Sequence, residues 1–78
     1  MPTWAIDLSG ANLRDVTAKA ANMGNAQFQK ANLRKAKLYE TNLTNSNLSE
    51  VNFRWATVRQ TDLRGADLTG TDLTRTKT

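Results

Sequence analysis

Apolar residues return at every fifth position along the chain: Leu8, Leu13, Ala18, Met23, Phe28, Leu33, Leu38, Leu43, Leu48, Phe53, Val58, Leu63, Leu68 and Leu73. Two positions before each stands a second apolar or small residue: Ile6, Ala11, Val16, Ala21, Ala26, Ala31, Ala36, Thr41, Ser46, Val51, Ala56, Thr61, Ala66 and Thr71. The position between them is usually Asn or Asp, and the two that follow vary freely. Fourteen such units run in phase with no insertion. No ordinary secondary structure fits this period. On an α-helix a step of five residues rotates by roughly 140°, so the large residues would spiral around the axis instead of forming a stripe. On a single flat strand side chains alternate with period two, and an odd repeat would throw successive Leu residues to opposite faces. The pattern works if the backbone turns a corner once per unit. The central residue and the one two before it then share one narrow interior.

A repeat in phase over this length decides the architecture before any other signal is weighed. The units Ala31-Asn32-Leu33-Arg34-Lys35, Ala66-Asp67-Leu68-Thr69-Gly70 and Ala11-Asn12-Leu13-Arg14-Asp15 match the motif A(D/N)LXX residue for residue. The chain therefore resembles the pentapeptide-repeat family over about residues 6 to 76. The resemblance implies an all-β fold, a right-handed quadrilateral parallel β-helix in which four units make one coil. Residues twenty apart would then stack, giving about three and a half coils in a single domain spanning residues 1–78.

Within that scheme residues 1–5 precede the repeats, and Trp4 is expected to cap the N-terminal end of the core, since solenoid ends need covering. Residues 6–25 form the least regular coil, where Ala18 and Met23 replace Leu. Residues 26–65 are the regular middle, with Phe28 and Phe53 as larger plugs. Repeats end at residue 74 and a short tail covers 75–78. The last units are expected to expose Leu63, Leu68 and Leu73 end-on, beside a strand edge that can template another chain. End-to-end dimers are known in the family, so the resemblance implies a possible homodimer through these residues.

Composition narrows the chemistry. The chain has 78 residues, no Cys, no His and a formal net charge of +4. There is no thiolate or disulfide framework. Ser9, Ser46 and Ser49 have no base beside them in the repeat, the carboxylates are scattered over different sides, and no Gly-rich phosphate loop is present. The sequence is read as non-enzymatic, with no catalytic residue, no cofactor, no metal ligand and no small-molecule substrate. Nothing resembles a signal peptide, and no apolar run reaches membrane-spanning length. Membrane insertion is not expected, and a cytoplasmic location is the default.

Function must then lie on the outside. Twenty-residue stacking sorts the outward positions into ladders: Arg14, Arg34, Arg54; beside it Asp15, Lys35, Trp55, Arg75; and on the next side Lys19, Tyr39, Arg59, with Lys37. Eight of the eleven basic residues fall on these two adjacent sides, against three of the seven acids. Arg residues at the roughly 4.8 Å spacing of stacked strands repel one another, which an anionic partner would relieve. Tyr39 and Trp55 each stand between cations and offer cation–π stacking. The candidate interaction surface is Arg14, Lys19, Arg34, Lys35, Tyr39, Arg54, Trp55, Arg59 and Arg75. The Asn and Asp residues before each Leu (Asn32, Asn42, Asn47, Asn52, Asp62, Asp67, Asp72) read as turn chemistry, not metal ligands. Three readings follow: a rigid protein-interaction module, which the shape alone supports; a binder of nucleic acid or another polyanion along the Arg ladder; and, from the resemblance, a DNA mimic that binds gyrase and protects it from quinolones. The positive charge and short length disfavour the third.

Overall fold

The computed structural model describes residues 6–78. The cap expected of Trp4 lies outside the described residues. The described residues wind as a coiled rod. One parallel register governs it: Asp7 pairs with Gln27, Asn12 with Asn32, Thr17 with Lys37 and Asn22 with Asn42, and the same twenty-residue step continues to Thr57 with Lys77. Four pairings per twenty residues make four sides. At each rung the N–H of the central residue donates one coil ahead, as Leu33 does to the Asn52 carbonyl at 2.8 Å. The N–H before it donates one coil back, as Asn32 does to Ala11 at 2.9 Å.

Central residues fill the interior, with small residues between them. Phe28, Leu33, Leu38, Leu43, Leu48 and Phe53 are buried together with Ala26, Ala31, Ala36, Val51 and Ala56. Among the described residues the two buried polar side chains are satisfied by backbone carbonyls: the Ser46 hydroxyl donates to Leu43 and the Thr41 hydroxyl to Ala18 of the preceding coil. The first coil is looser. Leu8, Leu13, Ala18 and Met23 are half-buried, and a wholly apolar cavity of about 90 Å³ lies among them, reaching Phe28 and Leu33. Ala18 lacks the side-chain volume that Leu38 supplies one coil on.

Corners are made by the last two residues of each unit. Fourteen successive unit ends, residues 10 to 75, hold positive φ between 54° and 73°, and eleven of them are not glycine. Most corners also carry a hydrogen bond from the residue after the turn to the central carbonyl, such as Ala36 to Leu33 at 3.0 Å. Positive φ at the third residue of such a turn is the type II signature. Each left-handed non-glycine residue costs roughly 1–2 kcal/mol, so the ladders must over-determine the corner.

Asn and Asp complete it. All seven of the residues expected to serve turns do so: their side-chain oxygens accept the N–H two residues on, at 2.9–3.1 Å. The side chain thereby takes an N–H that would otherwise join the ladder to the preceding coil. The exception is instructive. On one side the corresponding positions are Thr17, Lys37, Thr57 and Lys77. Among the described residues the pairing lengthens into true strands only here, between the first two coils: β1 (Thr17–Lys19) and β2 (Lys37–Tyr39), with Lys19 opposite Tyr39. The carbonyls at those corners are capped from inside, Ala18 by the Thr41 hydroxyl and Leu38 by that of Thr61.

The expected tail is part of the rod. The Lys77 N–H donates to Ala56 at 2.8 Å, the Lys77 carbonyl accepts from Val58 at 2.7 Å, and the Thr76 hydroxyl donates to Phe53 at 2.8 Å. Register is held by the backbone, so the loss of a large central residue after Leu73 does not interrupt it.

Three outcomes test this account. Leu43→Ala is expected to cost about 2–5 kcal/mol in urea unfolding, and Leu13→Ala, at the loose coil, clearly less. Ala18→Leu is expected to raise stability by about 1 kcal/mol by filling the cavity. The third concerns acid. Hydrogen bonds from Ser9, Arg64, Thr69 and Thr74 hold the carboxyls of Asp7, Asp62, Asp67 and Asp72 below their ordinary value. Groups depressed on folding contribute stability above the carboxylate range, and it is lost as pH falls below about 4. Asp62→Asn, Asp67→Asn and Asp72→Asn keep the accepting oxygen. Combined, they are expected to flatten the acid limb of a melting-temperature profile taken from pH 2 to 7.

Candidate interaction surface

The ladder register carries the variable residues of each unit outward in columns. The second side of the rod, built on Leu13, Leu33, Phe53 and Leu73, presents the Arg14, Arg34, Arg54 column and beside it Asp15, Lys35, Trp55 and Arg75. The pairings of Asn12 with Asn32, Asn32 with Asn52 and Asn52 with Asp72 fix that stacking. The third side, built on Ala18, Leu38 and Val58, presents Lys19, Tyr39 and Arg59. Arg14, Lys19, Lys35, Arg54, Arg59 and Arg75 are exposed, whereas Arg34 and Tyr39 are half-buried.

The Arg column is less repulsive than the sequence suggests. Arg14 lies 3.4 Å from the Asp15 carboxylate and Arg54 lies 3.9 Å from that of Asp72. Asp72 is held below the usual carboxylate range chiefly by its hydrogen bonds from Thr74, with the charge of Arg54 adding to them. Among the described residues Arg34, between the two, has no carboxylate within ion-pair distance, and its Nε is buried without a hydrogen-bond partner. The column is thus neutralised at both ends and cationic in the middle.

The two aromatic residues differ. Trp55 is 40% exposed, and the Arg75 guanidinium sits over its ring at 4.9 Å. Its expected stack therefore forms with Arg75, which covers one face of the indole. Among the described residues no such contact forms at Tyr39. Instead Tyr39 lies in a shallow groove of about 410 Å³ bounded by Thr17, Lys19, Glu40, Arg59 and Gln60. Lys19 and Arg59 flank the ring one coil to either side without closing over it.

Lys77 was missed from the sequence as a member of this surface, because residues 75–78 read as a tail. Its pairing with Thr57 puts it in the column Thr17, Lys37, Thr57, Lys77 on the third side. The signal was available: this column is the one without Asn, Asp or Gln at the position before the central residue. With Lys77 added, the second and third sides carry nine Lys and Arg against Asp15, Glu40 and Asp72. The other two carry Lys30 and Arg64 against Asp7, Glu50, Asp62 and Asp67. The rod is therefore polar across its axis, positive on one half and negative on the other. Arg64 is engaged on that second half, paired with Asp62 at 2.7 Å.

The residues expected end-on fall at the C-terminal edge. Leu63 is half-buried, Leu68 is 38% exposed and Leu73 is 48% exposed. Beside them the N–H groups of Leu63, Gly65, Leu68, Gly70, Leu73 and Arg75 have no backbone acceptor among the described residues. Also among the described residues, no helix is long and apolar enough to cross a membrane.

Comparison with known proteins bears on the architecture. The chain superposes on the crystal structure of a pentapeptide repeat protein, Rfr23, from the cyanobacterium Cyanothece 51142 with a TM-score of 0.83 and 27% identity, over 97% of this chain and 58% of that one. A pentapeptide repeat protein of the Arabidopsis thaliana thylakoid lumen is similar over 85% of this chain and 49% of its own, with a TM-score of 0.55 and 30% identity. The chain thus spans about half the length of these structures. The comparison with curated proteins returned no match. The family model for pentapeptide repeats matches residues 6–45 and 46–77 in eight copies. With the unbroken twenty-residue register, these matches make the chain a member of the pentapeptide-repeat family, folded as its right-handed quadrilateral β-helix.

Proposed function

We propose that the protein is a non-catalytic interaction module, a rigid rod that presents its two basic sides to an anionic macromolecular partner. The observation that carries this reading is the segregation of charge. Nine cations share two adjacent sides with three acids, on a scaffold whose ladder leaves outward positions free to vary. A surface under no functional demand would mix signs along each column, because like charges one coil apart repel. Charge of one sign gathered on one half of a rod raises encounter rates with a partner of opposite sign. The same asymmetry opposes the DNA-mimic reading, which needs a negative surface where this chain is positive.

A second contact is proposed at the C-terminal edge, where exposed Leu68 and Leu73 lie beside unpaired backbone donors. A second copy of the chain supplies both matching apolar surface and matching acceptors, so the occupant proposed is that copy, placed end to end.

Two measurements test these readings. Capture from a lysate by the immobilised protein is expected to fall at least several-fold with Arg34→Glu or Trp55→Ala, and to survive Lys30→Glu on the negative half. An unchanged capture profile with the first two variants counts against the docking surface. Light scattering of the 78-residue chain is expected to give a dimer mass at low and high salt, and a monomer for Leu73→Glu. A monomer for the unaltered chain at every concentration removes the end-on contact.

A further inference from the structure

The third side departs from the other three in backbone, chemistry and shape at once. It alone lacks Asn, Asp and Gln before its central residues, carrying Thr17, Lys37, Thr57 and Lys77 instead. Freed from side-chain competition, its backbone extends into β1 and β2, which carries Lys19 and Tyr39 into direct register. The corner hydrogen bonds seen elsewhere are missing from the Ala21 N–H to the Ala18 carbonyl and from the Thr41 N–H to the Leu38 carbonyl, where the Thr41 and Thr61 hydroxyls cap the carbonyls instead; the next corner, Thr61 to Val58, keeps its bond. The groove around Tyr39 opens at these altered corners.

We propose that this groove binds single-stranded nucleic acid, with one base stacked on Tyr39 and the backbone phosphates held by Lys19, Arg59 and Lys37. The inference rests on the basic sides being the docking surface and names the chemistry of what docks. Three features favour an unpaired strand. Tyr39 is half-buried and, among the described residues, no cation lies over its ring, unlike Trp55 under Arg75. A stacking face between two cations suits a nucleotide, whose base is flanked by a phosphate on either side. Glu40 and Gln60 line the groove and offer acceptor and amide groups to a base edge. Arg34 and Lys35 continue the cationic track around the adjoining corner. A duplex hides its base faces and would leave Tyr39 unused, and these flat sides carry no element that enters a major groove. An acidic peptide could pair with the cations and would likewise ignore the ring. Glu40, the carboxylate lining the groove, can accept from a base edge, whereas toward an all-anionic peptide it offers only repulsion.

The test is fluorescence anisotropy of a fluorescein-labelled twenty-nucleotide oligodeoxythymidine. Binding is expected at 50 mM salt, weakening about 100-fold by 200 mM for roughly five neutralised phosphates. Tyr39→Ala is expected to weaken it about tenfold, with Tyr39→Phe and Lys30→Glu near the unaltered chain. Circular dichroism checks that each variant is folded. The inference is overturned by no binding at 50 mM salt, by an unaltered affinity in folded Tyr39→Ala, or by polyglutamate or duplex DNA displacing the oligonucleotide as well as its unlabelled form does. Polyglutamate displacement that Arg34→Glu abolishes would leave the broader docking surface standing while removing nucleic acid as its ligand. Loss of neither oligonucleotide nor polyglutamate binding in Arg34→Glu would remove both.

Discussion

The structure depends on one constraint: each coil pairs with the next through parallel backbone hydrogen bonds at a fixed step of twenty residues. A unit that gained or lost a residue would shift every later rung and turn core residues outward. The interior, the corners and the surface columns all follow from keeping that step. Narrowness of the interior is why a large central residue alternates with Ala, Ser or Thr. The corner must be closed within two residues, which forces the last of each unit into positive φ whether or not it is glycine. Eleven non-glycine residues accept that conformation because the neighbouring rungs leave the backbone no alternative.

Side chains that seem interchangeable in the motif have distinct tasks. Asn and Asp hold the corner by accepting the N–H two residues on, a task either residue performs because each offers one suitably placed oxygen. Inner Thr residues solve a different problem. Thr41, Thr61, Thr71 and Thr76 reach carbonyls of the preceding coil, tying successive coils from inside. Three of these four stand beyond residue 60, in the part of the rod where the central Leu residues are least covered. Hydroxyl bonds there supplement an apolar contact that has thinned.

With the core and corners set by the repeat, the two variable positions of each unit are left to the surface. The ladder converts their spacing in sequence into columns, so a preference repeated at twenty-residue intervals becomes a continuous stripe. Arg14, Arg34 and Arg54 form such a stripe, made tolerable by carboxylates at its two ends. The third side shows that surface and backbone are coupled. Where Thr17 and Lys37 displace Asn and Asp in the first two coils, strand pairing extends, the corner changes, and a groove forms around an aromatic residue. A chemical difference at one position per coil therefore alters both the charge and the shape of that side.

Most of the fold was legible in the sequence because a five-residue period is incompatible with a helix or a flat strand, and the choice of interior residues repeats it fourteen times. Positions of Leu33, Leu43 or Asn52 are set by local pattern, and the column in which Arg34 or Tyr39 sits follows by counting in twenties. The irregular first coil was visible too, since Ala18 and Met23 are plainly smaller or more flexible than Leu. What the count could not supply were relations between side chains of different coils. That Asp72 answers Arg54, that Arg75 covers Trp55 while Tyr39 is left open, and that Lys77 continues the third side depend on rotamers and on backbone pairing past the last Leu. The period states which residues are neighbours. Only the folded chain decides which neighbours touch, because contact is settled by the competition of each side chain for the few partners within its reach.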